Sequence, residues 1–204
     1  LVKISEIFEG NFSHNELSFK GRIKRIFESI ISLIILIITL PILLIAAFLI
    51  KFEDGGPIFY SQTRNGFEGT QFKIIKLRTM IINAEKNGVQ WARKSDNRIT
   101  KIGRILRKLR IDELPQLLLV LSGSMSLIGP RPERPKIDDM LRNHLPNYDL
   151  RYSIKPGISG WAQVNFPYGA SIEDASLKLS YDLYYIKNFS ILLDFMIFFK
   201  TLKL

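Results

Sequence analysis

The sequence contains no cysteine, which excludes disulfides, thiolate metal sites and cysteine nucleophiles together and suits a domain facing a reducing compartment. Histidine is nearly absent. His14 and His144 stand in different polar surroundings, so each reads as an ordinary surface residue and not as part of a triad or metal site. No GxxxxGK[ST] and no GxGxxG occurs, which removes the common glycine-rich phosphate cradles. Nor is there a DxDx[TV] element, which argues against the common aspartyl phosphatases. Acidic residues run short, 19 against 29 Lys and Arg, for a formal net charge of +10. Such an excess selects an anionic partner: nucleic acid, phospholipid or a phosphorylated small molecule. The opening segment also lacks the layout of a signal peptide. It is polar and mixed and begins with Leu; residues 1–20 read as a linker after a missing upstream region, and residues 21–204 as one domain.

What is present is unevenly spread oil. Glu28 is the last charge before an uncharged run from Ser29 to Ile50. At roughly 1.5 Å per residue the run is about 33 Å as a straight helix, enough to cross a bilayer core of about 30 Å. Pro41, past its midpoint, removes a backbone hydrogen bond and is expected to kink it. Both flanks are basic, with Lys20, Arg22, Lys24 and Arg25 before the run and Lys51, Arg64, Lys73, Lys76 and Arg78 after it. A simple span concentrates cations on one side. Two basic flanks fit a re-entrant hairpin that bends at Pro41 and returns to the same face, although a kinked span also fits the proline.

Beyond it, β-prone pieces at Ile58–Tyr60 and Phe72–Ile75 flank turn signals at Asn65-Gly66 and Glu68-Gly69, predicting a small β-hairpin. Residues 99–111 carry Ile102, Ile105, Leu106 and Leu109 at helical spacing, Leu114–Leu121 is densely apolar, and residues 171–204 read as helix. The oily stretch 190–199, with its lone Asp194, suits a membrane interface as well as a core. The fold class is α+β and mostly helical: one re-entrant membrane helix, interfacial amphipathic helices and the small hairpin.

Four places could carry chemistry. From Trp91 to Arg110 there are eight Lys or Arg and one Asp, and Lys101, Arg104 and Lys108 share a helical face. A basic face on anionic lipid explains these charges, but the run ends in adjacent carboxylates, Asp112-Glu113. Beside so many cations both should ionise readily and could share a divalent metal or a phosphate with the arginines. The second is Gly129-Pro130-Arg131-Pro132, where two prolines fix the backbone around one guanidinium, the side chain best shaped for bidentate phosphate contact. Third, the glycines of Lys155–Val164 would allow close backbone approach to a ligand, and Trp161 could pack at a membrane interface or, the preferred reading, in the core. Fourth is Tyr181–Lys187, where a Tyr cluster reads as packing and Asp182 requires a partner.

The basic flank and kinked run, GGPIFYSQTR, FKIIKLRTM, DNRITKIGRILRKLRIDELPQL, SGSMSLIGPRPE, KPGISGWAQV and YDLYYIKNFS follow one another in an order that resembles the bacterial sugar transferases. More narrowly, it resembles the monotopic phosphoglycosyl transferases, from about Lys20 to the C-terminus. The resemblance implies transfer of a sugar-1-phosphate from a UDP-sugar to polyprenyl (undecaprenyl) phosphate with release of UMP, opening polysaccharide or glycoconjugate assembly. It implies Mg²⁺ bound with Asp112, Asp112 as the nucleophile that forms a phosphosugar-enzyme, and Glu113 assisting proton transfer. It also implies Arg107, Arg131, Lys76 and Arg78 as phosphate-binding residues, and Pro41 as the kink of a re-entrant helix over 29–50. The implied place is the bacterial inner membrane, with the catalytic domain on the cytoplasmic face, membrane lipid and no nucleic acid as partner, and a possible homodimer formed through an upstream region. Two departures stand out: Leu40 where relatives often have Ser before the proline, and Lys76-Leu77-Arg78-Thr79 where Phe usually precedes the Arg and Ser follows it. The rival reading is a non-catalytic, membrane-tethered module binding anionic lipid or nucleic acid through residues 91–110. It leaves Asp112-Glu113 and Pro130-Arg131-Pro132 without a purpose.

Overall fold

A computed structural model describes residues 19–84, 86, 96–166 and 171–203. Most of the expected linker, His14 and the first part of the basic run lie outside the described residues. The architecture is α+β and mostly helical, as the sequence suggests.

Helix α1 is a single 36-residue run, Phe19–Asp54, with Pro41 inside it. It is long and apolar enough to cross a membrane by length and composition. The helical run passes through Pro41 unbroken, so it is one helix and not two helices joined by a turn. Pro41 supplies no N–H for the Ile37 carbonyl. Two residues earlier, the Thr39 hydroxyl donates to the Ile35 carbonyl at 2.7 Å, a side-chain bond that bends helices. A hydroxyl therefore sits next to the proline even though Leu40 precedes it.

Large apolar side chains are exposed at nearly every turn from Ile26 to Phe52, while Ala46 and Ile50 are buried against Leu77 and Leu106. Each exposed side chain is worth roughly 2 kcal/mol if covered, so the run together outweighs the ~5–15 kcal/mol net stability of a domain. The opposite face is tied to the rest of the molecule at both ends. Near the N-terminus, Lys24 Nζ donates to the Ile128 carbonyl and the Tyr185 hydroxyl, both at 2.8 Å, and pairs with Asp194 at 3.1 Å. One turn on, Glu28 accepts from Ser126 Oγ and the Leu127 and Ile128 amides. At the C-terminus, Glu53 accepts from the Lys101 and Ile102 amides, and Asp54 pairs with Arg78.

Strands β1 (Phe59–Asn65) and β2 (Gln71–Leu77) form the antiparallel hairpin, with Phe59 opposite Leu77 and Asn65 opposite Gln71. It is longer than its β-prone pieces suggested. Asn65 ends β1, and Glu68 and Gly69 take the left-handed conformation, so the second turn signal makes the reversal. Helix α2 (Lys101–Lys108) is shorter than the expected 99–111. Arg110 is left-handed at φ 58° and turns the chain into a 3₁₀ segment, Ile111–Gln116, which continues as α3 (Leu117–Ser122). Strand β3 (Ser126–Ile128) pairs in parallel with β4 (Gly157–Ser159). Between them lie α4 (Pro135–His144) and a 3₁₀ segment, Tyr148–Ser153.

After the short α5 (Trp161–Asn165) come α6 (Ile172–Lys187) and α7 (Ile191–Thr201). The stretch read as helix from residue 171 onward thus holds two helices, each started by a serine cap, Ser171 and Ser190. Leu179, Leu183, Tyr185 and Ile197 sit at the centre of the main core. Helix α7 has an inner and an outer face. Asp194 faces inward to Lys24 and Tyr185, while Leu192, Phe195 and Phe199 are exposed. Helix α2 divides likewise, with Leu106 buried and Ile105 and Leu109 outside.

Candidate active site

Along β2 the period of two puts Phe72, Ile74 and Lys76 on one face. Ile74 is core, so Lys76 is a lysine projected beside apolar neighbours. It meets the 3₁₀ segment, where Asp112 and Glu113 lie just past the left-handed turn at Arg110. Lys76 Nζ reaches Glu113 Oε1 at 2.5 Å, and Arg131 Nη2 reaches the same oxygen at 2.7 Å. The Arg131 side chain keeps 34% of its surface open, which leaves it able to meet a ligand. Arg107 donates through Nε to Thr79 Oγ1 at 2.8 Å, and its charge acts on Asp112. Gly103 makes this contact possible: any side chain there would run into the Thr79 backbone, so only glycine lets α2 lie close enough. Five of the six polar residues marked in the sequence thus converge.

The sixth, Arg78, makes its contacts elsewhere. It is 7% exposed, donates through Nε to the Pro57 carbonyl at 2.6 Å, holds both Asp54 oxygens, and reaches the Met80 carbonyl at 3.1 Å. The guanidinium clamps the end of α1 to the hairpin. Thr79, not marked as a site residue, orients Arg107. The signal was its place in the Lys76–Thr79 motif.

The two neighbouring carboxyls differ. Burial alone would push Glu113 up, but Arg131 and Lys76 outweigh it and hold the carboxyl well below the usual range. Asp112 departs from the expectation that both ionise readily: burial, and then the Glu113 charge beside it, push it up against Lys76 and Arg107. Burial and then Arg131 draw Lys76 down to about 8. Glu113 chiefly raises Arg131. No side-chain donor among the described residues sits on Asp112, which leaves it the available carboxylate.

No group of three or more His, Cys, Asp or Glu that could hold a metal occurs among the described residues. Mg²⁺ commonly takes one or two carboxylates and completes its shell with water and substrate phosphates. Asp112, a hard and buried carboxylate with no side-chain donor among the described residues, fits that pattern.

The glycines of 155–163 approach backbone, not an open site. A side chain at Gly157 or Gly160 would collide with the Gly129 main chain, so these glycines bring β4 onto the start of the Pro130–Arg131 loop. Trp161 is half-buried, stacked on Tyr184 at 6.2 Å with Lys200 Nζ 4.7 Å from its ring centroid. Asp182 has its partner in Arg151, 3.0 Å away.

A family profile described as bacterial sugar transferase matches residues 19–204. The chain is similar to the UDP-N-acetylgalactosamine-undecaprenyl-phosphate N-acetylgalactosaminephosphotransferase of Aeromonas hydrophila, 46% identical over 181 residues, covering 89% of this chain and 43% of that protein. It is 41% identical over 180 residues to the UDP-glucose:undecaprenyl-phosphate glucose-1-phosphate transferase of Caulobacter vibrioides, covering 87% of this chain and 67% of that one. To the exopolysaccharide production protein PSS of Rhizobium leguminosarum bv. phaseoli it is 40% identical over 185 residues, covering 88% of this chain and 92% of the relative. The chain therefore spans under half of the first relative and about two thirds of the second.

Proposed function

Because this chain belongs to the bacterial sugar transferase family, we propose that it moves a sugar-1-phosphate from a UDP-sugar onto undecaprenyl phosphate and releases UMP. The observation that carries the reading is the asymmetry of the dyad: an Asp112 with no side-chain donor among the described residues beside a Glu113 that gathers Lys76 and Arg131. A buried carboxylate whose charge is poorly satisfied is the better nucleophile of the two.

In the first step an Asp112 oxygen attacks the phosphorus that carries the sugar. The bond to the bridging oxygen breaks, UMP leaves with that oxygen, and the phosphosugar stays on Asp112. In the second, an oxygen of the lipid phosphate attacks the same phosphorus and frees the Asp112 carboxylate. Arg131, Lys76 and the Arg107 guanidinium meet the diphosphate oxygens, whose charge grows toward UMP departure. As Arg131 and Lys76 turn to the substrate, Glu113 loses the cations that hold its pKa down and becomes basic enough to take the acceptor's proton. Mg²⁺ bound with Asp112 would neutralise diphosphate charge in the same place. Arg78 belongs to this machinery only by fixing the strand end that carries Lys76 and Thr79.

The acceptor resides in a bilayer, and α1 supplies the attachment. Both of its ends are pinned to one body, through Lys24 and Glu28 at one and Glu53 and Asp54 at the other. A helix that crossed the membrane would carry one end away from a cytoplasmic domain. The attachment supports a re-entrant helix, bent near Thr39 and Pro41 and held in one leaflet, with exposed apolar residues of α2 and α7 at the interface. The domain then faces the cytoplasm at the bacterial inner membrane.

The test is UMP release from UDP-N-acetylgalactosamine or UDP-glucose, with and without undecaprenyl phosphate in detergent or nanodiscs. Steady UMP production that requires the lipid phosphate supports the transfer. Steady production without it indicates a hydrolase, and none with either donor leaves a binding module.

A further inference from the structure

The Pro130–Glu133 loop offers four consecutive carbonyls, and each receives a donor. Pro130 O accepts from the Gly157 amide at 2.9 Å, Arg131 O from Arg151 Nη2 at 2.7 Å, Pro132 O from Arg64 Nη1 at 3.1 Å and Glu133 O from the Asn65 amide at 3.1 Å. Backbone donors on β4 and β1 hold the two ends. Arg131, the residue whose side chain reaches Glu113, has its own carbonyl held by a side chain, so its placement depends on how well that side chain is held.

Arg151 is held closely. It is 7% exposed, its Nη2 also donates to Asp182 Oδ2 at 3.0 Å, and its Nη1 donates to the Tyr148 hydroxyl at 2.6 Å. That hydroxyl donates to Asp138 Oδ1 at 2.6 Å, Asp138 Oδ2 accepts from Asn65 Nδ2 at 2.7 Å, and the Asn65 amide returns to Glu133. The hydrogen bonds close a ring that leaves the loop at Arg131 and re-enters it two residues later. Asp138 and Asp182 are 0% and 3% exposed. Buried polar groups so fully matched specify one arrangement, because any displacement leaves a charge or donor unpaired. Asp182 comes from α6, which carries none of the catalytic residues.

We propose that Arg151 and Asp182 are positioning residues for phosphoryl transfer, acting through the Arg131 carbonyl to hold the Arg131 guanidinium over Glu113 and the substrate diphosphate. The proposal rests on the transfer reading above. It makes α6 part of the site's precision without contact between its residues and the substrate.

The test is a double-mutant cycle on single-turnover UMP release in the full chain, run in the wild-type and Arg131→Lys backgrounds. Asp182→Asn should lower the rate by about tenfold or more in the wild type, because a hydrogen bond to a charged group is at stake. In Arg131→Lys, where the fork is already lost, it should cost less than about threefold, since residues that act on one another are non-additive. Tyr148→Phe, which removes one acceptor from Arg151 and leaves the ion pair, should show the same pattern more weakly and serves if Asp182→Asn does not fold. Leu179→Ala, a buried control on α6, should cost the same factor in both backgrounds. Equal losses from Asp182→Asn, or from Tyr148→Phe in its place, in the two backgrounds would mean that the network only supports the fold, and would overturn the proposal. A wild type that releases no UMP fails the transfer reading instead, and the two failures cannot be confused.

Discussion

Asp112 and Glu113 are adjacent in the chain yet occupy opposite electrostatic positions, and the cations divide by how much of each is already committed. Arg131 has donors to spare and an open flank; Arg78 is buried and spends four of its five donors on Pro57, Asp54 and Met80. Arg131→Lys should lower kcat/KM by about tenfold to a hundredfold, the worth of a hydrogen bond to a charged group, with little change in melting temperature. Arg78→Lys should lower the melting temperature and leave the activity of the folded fraction near wild type. Matching activity losses in the two variants would place Arg78 on the substrate. Lys76, drawn down to about 8, gives a pH dependence with opposed signs. Its ammonium is lost as pH rises through about 8, so kcat/KM should fall there, and Lys76→Arg should move that limb upward. Stability moves the other way. The unfolded lysine titrates near 10.4, the folded state binds fewer protons between those values, and the contribution of Lys76 to stability grows as pH rises through that window. An unchanged alkaline limb in Lys76→Arg would assign it to another group.

At the scale of elements, α1 carries the riskiest claim. Cysteines introduced at Ser18 and Ser61 should both resist an impermeant thiol reagent in intact cells and both label after lysis, in a chain with no native cysteine to confuse the result. Labelling of the Ser18 position from outside would mean a true span. Much of this level was legible in advance. The length of the apolar run, the hairpin and the basic helix follow from periodicity and turn residues, which are local. The break between α6 and α7 was also written, in Ser190, but a serine inside an oily stretch is a weak signal until its side chain is seen to cap the next helix. The pairing of Asp54 with Arg78 and of Lys24 with Asp194 was not legible, because nothing local marks which distant charge will lie opposite. For the same reason Arg78 resembled its neighbour Lys76 in sequence and differs from it in structure. The glycines near residue 157 were visible as a demand for close approach, but only the fold says that the thing approached is Gly129.

For the molecule as a whole, the arrangement joins a membrane-seated helix to a charged dyad. Glu53 caps α2, Asp54 clamps Arg78, and from those two contacts the chain runs directly to Arg107, Thr79 and Lys76. On the proposed re-entrant seating, the depth of α1 in the bilayer would set the height of Asp112 above it, as the proposed acceptor phosphate at the headgroup level requires. The central claim is that the phosphosugar passes through Asp112. Intact-mass measurement after incubation with UDP-sugar alone tests it most directly. The account predicts a single phosphosugar adduct with stoichiometric UMP, discharged on adding undecaprenyl phosphate and absent from Asp112→Asn, whose fold stays intact. UMP formed only when both substrates are present, with no adduct at any time, or normal turnover by Asp112→Asn, would contradict it.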